Sequence, residues 1–147
     1  MFRVVLPPTA RQAQRAPAPA ETPPPQRRAR VLVIDDEESV GRVVTRVLGI
    51  QHDVVAESDA QLALNRVRAG EQFDIVFCDL MMPNVSGIDV YNTLRDTEPE
   101  LAKRIVFLTG GSFTPRTTQF LESVANPTVS KPFSIDSLRA LVADYVA

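Results

Sequence analysis

The stretch that most constrains this chain is residues 73–83, Phe-Asp-Ile-Val-Phe-Cys-Asp-Leu-Met-Met-Pro, in which an apolar run ends abruptly at Asp79. A short apolar run between turn signals is typical of a strand that is buried on both faces of a sheet. Open α/β sheets place their chemistry at the carboxyl ends of such strands. We therefore predict an α/β fold in which Asp79 is a functional carboxylate at a strand end.

The composition predicts one compact domain and excludes a membrane-spanning protein. The chain has 147 residues, of which 44% are hydrophobic and 23% charged, as is ordinary for a soluble globular protein. No apolar run approaches the roughly 18 residues that cross a bilayer, and Val4-Val5-Leu6 is too short for a signal-peptide core. We expect a cytoplasmic protein without membrane insertion. Cys78 lies inside the apolar run, so we expect a buried small hydrophobe rather than a reactive thiol.

Residues 1–29 differ from the rest of the chain in composition. Seven of the 12 prolines precede residue 26, and residues 1–30 hold six arginines against one acid, whereas residues 31–147 hold 10 basic and 17 acidic residues. Such a segment lacks apolar periodicity, so we predict an extended, disordered tail or linker. Arginines without interleaved aromatic residues favour a solvated linker over nucleic-acid binding.

Residues 2–6, Phe-Arg-Val-Val-Leu, form a short strand-like island ahead of this linker. The island resembles the last strand of a histidine-kinase ATP-binding domain. On that interpretation the chain is the C-terminal part of a longer hybrid kinase. The alternative, that these are simply the first residues of a tail, stays equally open.

From Arg30 onward, strand patterns alternate with helix patterns in five β-α units. Alternation of this kind requires right-handed crossovers and a parallel sheet with helices on both faces. The predicted strands are residues 31–34, 53–56, 74–78, 104–108 and 128–130.

The helix starts carry capping signals. Ser58 with Gln61 three residues later predicts a capping box at the second helix, which runs to Gly70. Thr114 followed by proline, and Ser134, are expected to cap the last two helices. The first helix carries apolar residues over 40–48, and the third, from Ile88, ends before Pro99.

Polar groups follow four of the predicted strands. Asp35 and Asp36 follow the first strand, Asp79 the third, Thr109 the fourth and Lys131 the fifth. The topology brings these ends to one crevice. Three carboxylates held together repel one another, and Mg²⁺, which needs few protein carboxylates, relieves that repulsion. Each residue alone is more often a solvated loop group, but the coincidence at four strand ends indicates a functional site.

These motifs resemble the receiver domain of two-component response regulators over residues 30–147. The resemblance implies a flavodoxin-like, doubly wound α/β fold with five parallel strands in the order 2-1-3-4-5. The Thr-Gly-Gly-Ser-Phe-Thr-Pro phrase at 109–115 is most similar to receivers fused behind histidine kinases. The matching residues, in family order and spacing, are Val-Ile-Asp35-Asp36-Glu, Cys-Asp79-Leu-Met-Met-Pro83, Gly87, Leu-Thr109-Gly-Gly and Lys131-Pro132-Phe133.

The resemblance implies a phosphoacceptor role in a phosphorelay. Asp79 would attack the phosphohistidine of a histidine kinase or a histidine phosphotransfer protein and become an aspartyl phosphate. Asp36, Asp79 and the backbone carbonyl of Met81 would ligate Mg²⁺ directly, while Asp35 would act through a metal-bound water. The only catalysis expected of such a domain is its own phosphorylation and dephosphorylation.

The remaining motif residues would support that chemistry. Lys131 would neutralise the phosphoryl oxygens, and Thr109 would hydrogen-bond the phosphoryl group and pull its loop inward. The family also implies a cis bond between Lys131 and Pro132. Pro83 is expected to stiffen the loop after Asp79, and Gly87 to allow a backbone conformation that a Cβ would oppose.

The sequence departs from the family pattern at positions that transmit or tune the signal. Thr128 stands where the family usually carries an aromatic residue. We therefore expect the output either to pass through the loop and helix that follow Thr109, including Phe113, or to be weak; simple packing is the alternative role of Phe113. Met81 and Gly111, two residues past Asp79 and Thr109, cannot orient an attacking water. We therefore predict a long-lived aspartyl phosphate.

Two other functional classes stay open. An aspartyl-nucleophile hydrolase of the haloacid dehalogenase type requires a second acid two residues after the first. Met81 occupies that position here, which argues against this class. A phosphorylation-independent interaction module gains some support from Thr128. Because the last predicted helix ends at Ala147, we expect no DNA-binding or enzymatic output domain, and signalling by protein contact or by tuning an attached kinase. His52, the one histidine, lies outside the pocket and lacks the helical setting of a kinase phosphoacceptor, so we expect it to be solvent-exposed and the chain not to be a complete kinase.

Overall fold

Five strands form one parallel sheet in the order β2-β1-β3-β4-β5 in the part of the chain that the structure describes. That structure is a computed structural model and describes residues 28–110 and 113–146. The predictions for residues 1–27, including the island at 2–6, lie outside the described residues, as does Gly111. The fold class, the strand order and the parallel sheet are confirmed.

The elements follow one another in strict alternation, apart from one short helix. The bounds are β1 Arg30–Ile34, α1 Glu38–Leu48, β2 Asp53–Glu57, α2 Ala60–Arg68, β3 Ile75–Asp79, α3 Gly87–Thr97, α4 Pro99–Ala102, β4 Ile105–Thr109, α5 Pro115–Ser123, β5 Thr128–Ser130 and α6 Ile135–Val146. The third helix ends before Pro99 as expected. Pro99 then opens α4, which we did not predict, because proline suits the first position of a helix.

The central strands are apolar on both faces because a layer of helices covers each face. One core cluster joins Leu32 and Val76 to residues of α2 and α3, such as Leu64. The other joins Val31 and Phe77 to α1 and α6. Successive side chains of a strand point to opposite faces, which is why the buried strands read as unbroken apolar runs.

The strand register brings the predicted functional residues to one edge. Ile34 pairs with Cys78, and Asp79 pairs with Leu108. Asp35 and Asp79 therefore leave the sheet side by side at the carboxyl ends of neighbouring strands.

The predicted capping box at α2 is wrong. Asp59, not Ser58, is the N-cap, and its Oδ1 accepts a hydrogen bond from the amide of Gln61 at 2.8 Å. The carboxylate two residues before that amide forms an Asx-type turn, which competes successfully with the neighbouring serine. The expected caps Thr114 and Ser134 are confirmed, since their hydroxyls accept from the amides three residues later at 3.1 Å.

The expectation that His52 is solvent-exposed is also wrong. Only 4% of His52 is exposed, and its Nδ1 accepts a hydrogen bond from the amide of Ala29 at 3.1 Å. Arg28 lies over the same site, donating to the His52 carbonyl at 3.1 Å and pairing with Asp53 at 3.2 Å. Burial and the neighbouring Arg28 charge lower the pKa of His52. The histidine thus holds the chain where it enters β1.

The structure agrees with the expected burial of Cys78. Cys78 is fully buried, and burial raises the pKa of its thiol, so it behaves as a small hydrophobe. Across the described residues, the helices are all too short or too polar to cross a bilayer.

Candidate functional site

Three carboxylates meet at the carboxyl edge of the sheet. Asp35, Asp36 and Asp79 each offer an oxygen, and these oxygens lie within 4.8 Å of one another. Asp35 is 2% exposed and Asp79 5% exposed, whereas Asp36 is open to solvent. The structure therefore brings together all three acids that the sequence predicted.

Asp35 holds an oxygen that is suited to a cation. Its Oδ1 accepts from the amide of Glu37 at 2.9 Å. Its Oδ2 is buried and forms an ion pair at 2.7 Å with Nζ of Lys131, but it accepts no hydrogen bond. A buried anionic oxygen with an unused lone pair, beside two further carboxylates, fits a hard cation with oxygen ligands.

Asp79 lies between attractive and repulsive charges. Its Oδ1 accepts from the amide of Met81 at 3.3 Å, and its Oδ2 lies 3.5 Å from Nζ of Lys131. Burial and repulsion from Asp35 raise the pKa of Asp79 to about 6, although Lys131 opposes that rise. Asp79 is therefore poised to be anionic at neutral pH at a considerable electrostatic cost.

Lys131 is the cation of the site. Burial lowers the pKa of Lys131, but its close ion pair with Asp35 and the charge of Asp79 outweigh burial, so the net shift is upward. Its backbone amide donates to the carbonyl of Thr109 at 2.8 Å, and the Lys131-Pro132 bond is cis, as the resemblance implied. Glu37, which the sequence did not single out, lies 3.9 Å from the same ammonium.

Thr109 is the last residue of β4, the strand that pairs with β3, but its hydroxyl donates to a backbone carbonyl rather than to the acids. It is 3% exposed, and its Oγ1 makes a long hydrogen bond of 3.5 Å to the carbonyl of Val129. Thr128, which stands where the family usually carries an aromatic residue, is exposed on β5, and Phe113, through which output was expected, is 51% exposed. That exposure argues against simple core packing of Phe113.

The loop after Asp79 is built around Gly87, but not for the reason we expected. A Cβ on Gly87 would lie 2.7 Å from the carbonyl oxygen of Asp79 and 2.8 Å from Cα of Leu80. The glycine is needed for this close backbone approach rather than for an unusual backbone conformation. The positive φ in this loop belongs to Asn84, at 67°.

Sequence reasoning missed Thr117, a buried residue of α5 that contacts the side chain of Met81. Its hydroxyl lies 3.5 Å from the Met81 sulfur, and the residue is 3% exposed. No local pattern signals this contact, because the two residues are 36 positions apart in the chain.

The comparisons with known proteins agree with this geometry. Residues 31–143 match the family model of the response regulator receiver domain. The DNA-binding response regulator MtrA of Mycolicibacterium smegmatis is 39% identical over 116 residues, which cover 78% of this chain and 49% of MtrA. The chain thus spans about half the length of the curated relatives it matches.

Solved structures show the same fold. The receiver domain of the Francisella response regulator 1452 superposes with a TM-score of 0.66 at 25% identity, covering 80% of this chain and 96% of that one. A BeF3-activated DrrB receiver domain gives a TM-score of 0.68 at 26% identity, covering 81% and 97%.

Proposed function

Because this chain belongs to the response regulator receiver family, we propose that Asp79 accepts a phosphoryl group from a phosphohistidine. The donor is a histidine kinase or a histidine phosphotransfer protein. The single observation that carries the proposal is the position of Asp79: a buried carboxylate at the end of β3, 3.5 Å from the Lys131 ammonium and within a cluster of three acids.

The transfer is a displacement at phosphorus. A carboxylate oxygen of Asp79 forms the new P–O bond, the P–N bond to the donor imidazole breaks, and the imidazole leaves with its electron pair. Asp79 has to be anionic to attack, and a pKa of about 6 keeps most of the carboxylate ionised above that pH. The raised pKa also makes the carboxylate a better nucleophile than an ordinary aspartate.

We propose that the acidic cluster holds Mg²⁺. Asp36, Asp79 and the carbonyl of Met81 would be direct ligands, and Asp35 would act through a metal-bound water. When bound, Mg²⁺ supplies positive charge that neutralises the phosphoryl oxygens. The support from this chain is the buried, unbonded Oδ2 of Asp35 and the three converging carboxylates.

Lys131 and Thr109 complete the proposed site. The Lys131 ammonium contacts Asp35 and Asp79 and is therefore close enough to neutralise a phosphoryl oxygen carried by Asp79. Thr109 would exchange its 3.5 Å bond to the Val129 carbonyl for a stronger bond to the phosphoryl group. That exchange would draw the end of β4 toward Asp79.

Phosphorylation by a small-molecule donor tests the proposal. Acetyl phosphate with Mg²⁺ should add about 80 Da to the intact mass, and Asp79→Asn should remove that increment. Asp89→Asn is a matched control, because Asp89 serves the α3 capping box rather than the acidic cluster. A mass increment that survives in Asp79→Asn would refute the assignment of Asp79.

The same experiment separates the two competing classes. Steady release of inorganic phosphate at enzymatic rates would favour an aspartyl-nucleophile hydrolase. Met81 argues against that class, because it occupies the position where such an enzyme needs its second acid. No increment with any donor would favour a phosphorylation-independent module, which gains some support from Thr128 in place of the usual aromatic residue.

We further propose a cytoplasmic setting in which residues 1–29 are a tail or linker and residues 30–147 are the receiver. The resemblance of residues 2–6 and 109–115 to hybrid histidine kinases supports a place behind a kinase domain. The named relative MtrA is DNA-binding, which makes an attached DNA-binding output the competing arrangement. The reading frame upstream and downstream of this chain distinguishes the two.

A further inference from the structure

A hydrogen-bonded chain joins the start of α5 to the loop that follows Asp79. Thr114, the N-cap of α5, has its Oγ1 2.9 Å from Oγ1 of Thr117. The Thr117 hydroxyl lies 3.5 Å from the sulfur of Met81, and the Met81 amide donates to Oδ1 of Asp79 at 3.3 Å. Helix α5 therefore reaches the phosphoacceptor through one side chain.

The number of available protons fixes the direction of each hydrogen bond between Thr114, Thr117 and Met81. A threonine hydroxyl has one proton, and a thioether sulfur has none to give. Thr117 therefore donates to Met81, which leaves Thr114 as the donor to Thr117 Oγ1, while Thr114 Oγ1 accepts from the amide of Thr117 at 3.1 Å. The two hydroxyls and the sulfur therefore all have hydrogen-bond partners, although only 3% of Thr117 is exposed.

The side chain that Thr117 contacts is exposed at the surface. Met81 is 47% exposed and unbranched, so the contact of its sulfur with Thr117 is well placed to fix the position of the side chain. It also carries the backbone amide that binds the Asp79 carboxylate. A group attached to Asp79 is therefore close to the backbone of Met81, and we expect the position of its apolar side chain to affect how easily water reaches the group.

We propose that Thr117 is a positioning residue that holds the Met81 side chain against the phosphoacceptor and thereby slows hydrolysis of the aspartyl phosphate. The inference rests on the proposed function of Asp79. Thr117 contacts neither donor nor phosphoryl group; it acts through Met81. Loss of the hydroxyl releases the thioether and lets water approach.

A double-mutant cycle tests this proposal. The wild-type protein and its variants are phosphorylated with acetyl phosphate and Mg²⁺, the donor is removed, and the decay of the aspartyl phosphate is followed by intact mass. Thr117→Val keeps the shape but removes the proton, and it should raise the decay rate about three- to tenfold, the value of one net hydrogen bond. Thr117→Ser keeps the proton and should decay within about twofold of wild type.

Met81→Leu removes the sulfur acceptor while keeping the backbone carbonyl and amide. It should decay as fast as Thr117→Val, and the double variant should decay no faster than either single variant. Thr118→Val is the matched control, because Thr118 is an exposed neighbour on the same helix. Equal acceleration by Thr117→Val in wild-type and Met81→Leu backgrounds would overturn the proposal.

The outcomes separate this inference from the proposed function. If wild-type protein takes up no phosphoryl group, the proposed function fails. If it is phosphorylated but Thr117→Val and Met81→Leu both decay at the wild-type rate, only the role of Thr117 fails. If Thr117→Val does not fold, Met81→Leu against the buried-site control Met82→Leu decides the question, because Met81 is exposed and tolerant of substitution.

Discussion

The ammonium of Lys131 lies 2.7 Å from Oδ2 of Asp35, which is closer than its 3.5 Å approach to Asp79. The lysine therefore pairs chiefly with the acid that would not carry the phosphoryl group. A cation bound by the acids would compete with Lys131 for Asp35 and leave the ammonium available to Asp79. On the proposed Mg²⁺ site, the position of Lys131 would therefore depend on whether the acidic cluster holds the cation.

Lys131→Gln should slow phosphorylation of Asp79. The substitution removes the charge that lowers the Asp79 pKa, so the pH midpoint for phosphoryl uptake should move upward. The rate with acetyl phosphate at pH 7.5 should fall by on the order of 10- to 100-fold, because the developing charge loses a preorganised partner. Lys103→Gln is the control, since Lys103 is 73% exposed and pairs only with Glu100 among the described residues. An unchanged midpoint would contradict the assigned role.

Asp79→Asn should stabilise the protein at neutral pH without Mg²⁺. A carboxyl whose folded pKa is raised from 3.8 to about 6 contributes stability while protonated and loses it as the pH rises through that window. The shift corresponds to at most about 3 kcal/mol, and partial solvent screening reduces the expected gain to about 1–2 kcal/mol. Urea unfolding at pH 7.5 should show the gain, and the difference from wild type should vanish near pH 4. The exposed Asp96→Asn should show neither effect.

The site could be predicted from the sequence because it depends on local patterns and one topological rule. Apolar runs that stop at Asp35 and Asp79 mark the strands and their ends together. Parallel packing then brings every carboxyl end to the same edge. Thr109 ends β4 and Lys131 follows β5, so both lie at that edge for the same reason, while their roles stay predictions.

The parts that the sequence did not reveal depend on contacts between distant residues. His52 looks like an ordinary loop residue, and its burial is decided by Ala29, 23 positions earlier. The contact between Thr117 and Met81 spans 36 positions. The prediction for the N-cap of α2 was wrong for a different reason. Ser58 and Asp59 are both good N-caps, and the local pattern does not choose between neighbours.

His52 should make the protein less stable in mild acid. Its folded pKa is lowered, so the stability from the neutral ring is fully present above the unfolded value of 6.5 and is lost as the pH falls below it. Protonation removes the Nδ1 acceptor for the Ala29 amide and places a positive charge beside Arg28, although Asp53 and Asp74 partly offset it. Urea unfolding between pH 7.5 and 5.5 should show a steeper fall for wild type than for His52→Gln. Parallel curves would show that His52 does not titrate in this window.

Gly87→Ala should damage both the fold and the phosphoacceptor. The added Cβ would lie 2.7 Å from the carbonyl oxygen of Asp79 and 2.8 Å from Cα of Leu80, and these are backbone atoms that cannot swing aside. Either α3 or the end of β3 has to shift, at a cost of about 1–3 kcal/mol in the free energy of unfolding. Gly110→Ala is the matched control, because a Cβ there meets nothing within 4 Å in the described structure.

If phosphorylation is sensitive to the position of Asp79, Gly87→Ala should also be phosphorylated more slowly by acetyl phosphate at temperatures where it is fully folded, whereas Gly110→Ala should be phosphorylated at the wild-type rate. Equal stability of the two variants would mean that α3 can move away from β3 without cost, and the close backbone approach would then not explain the glycine.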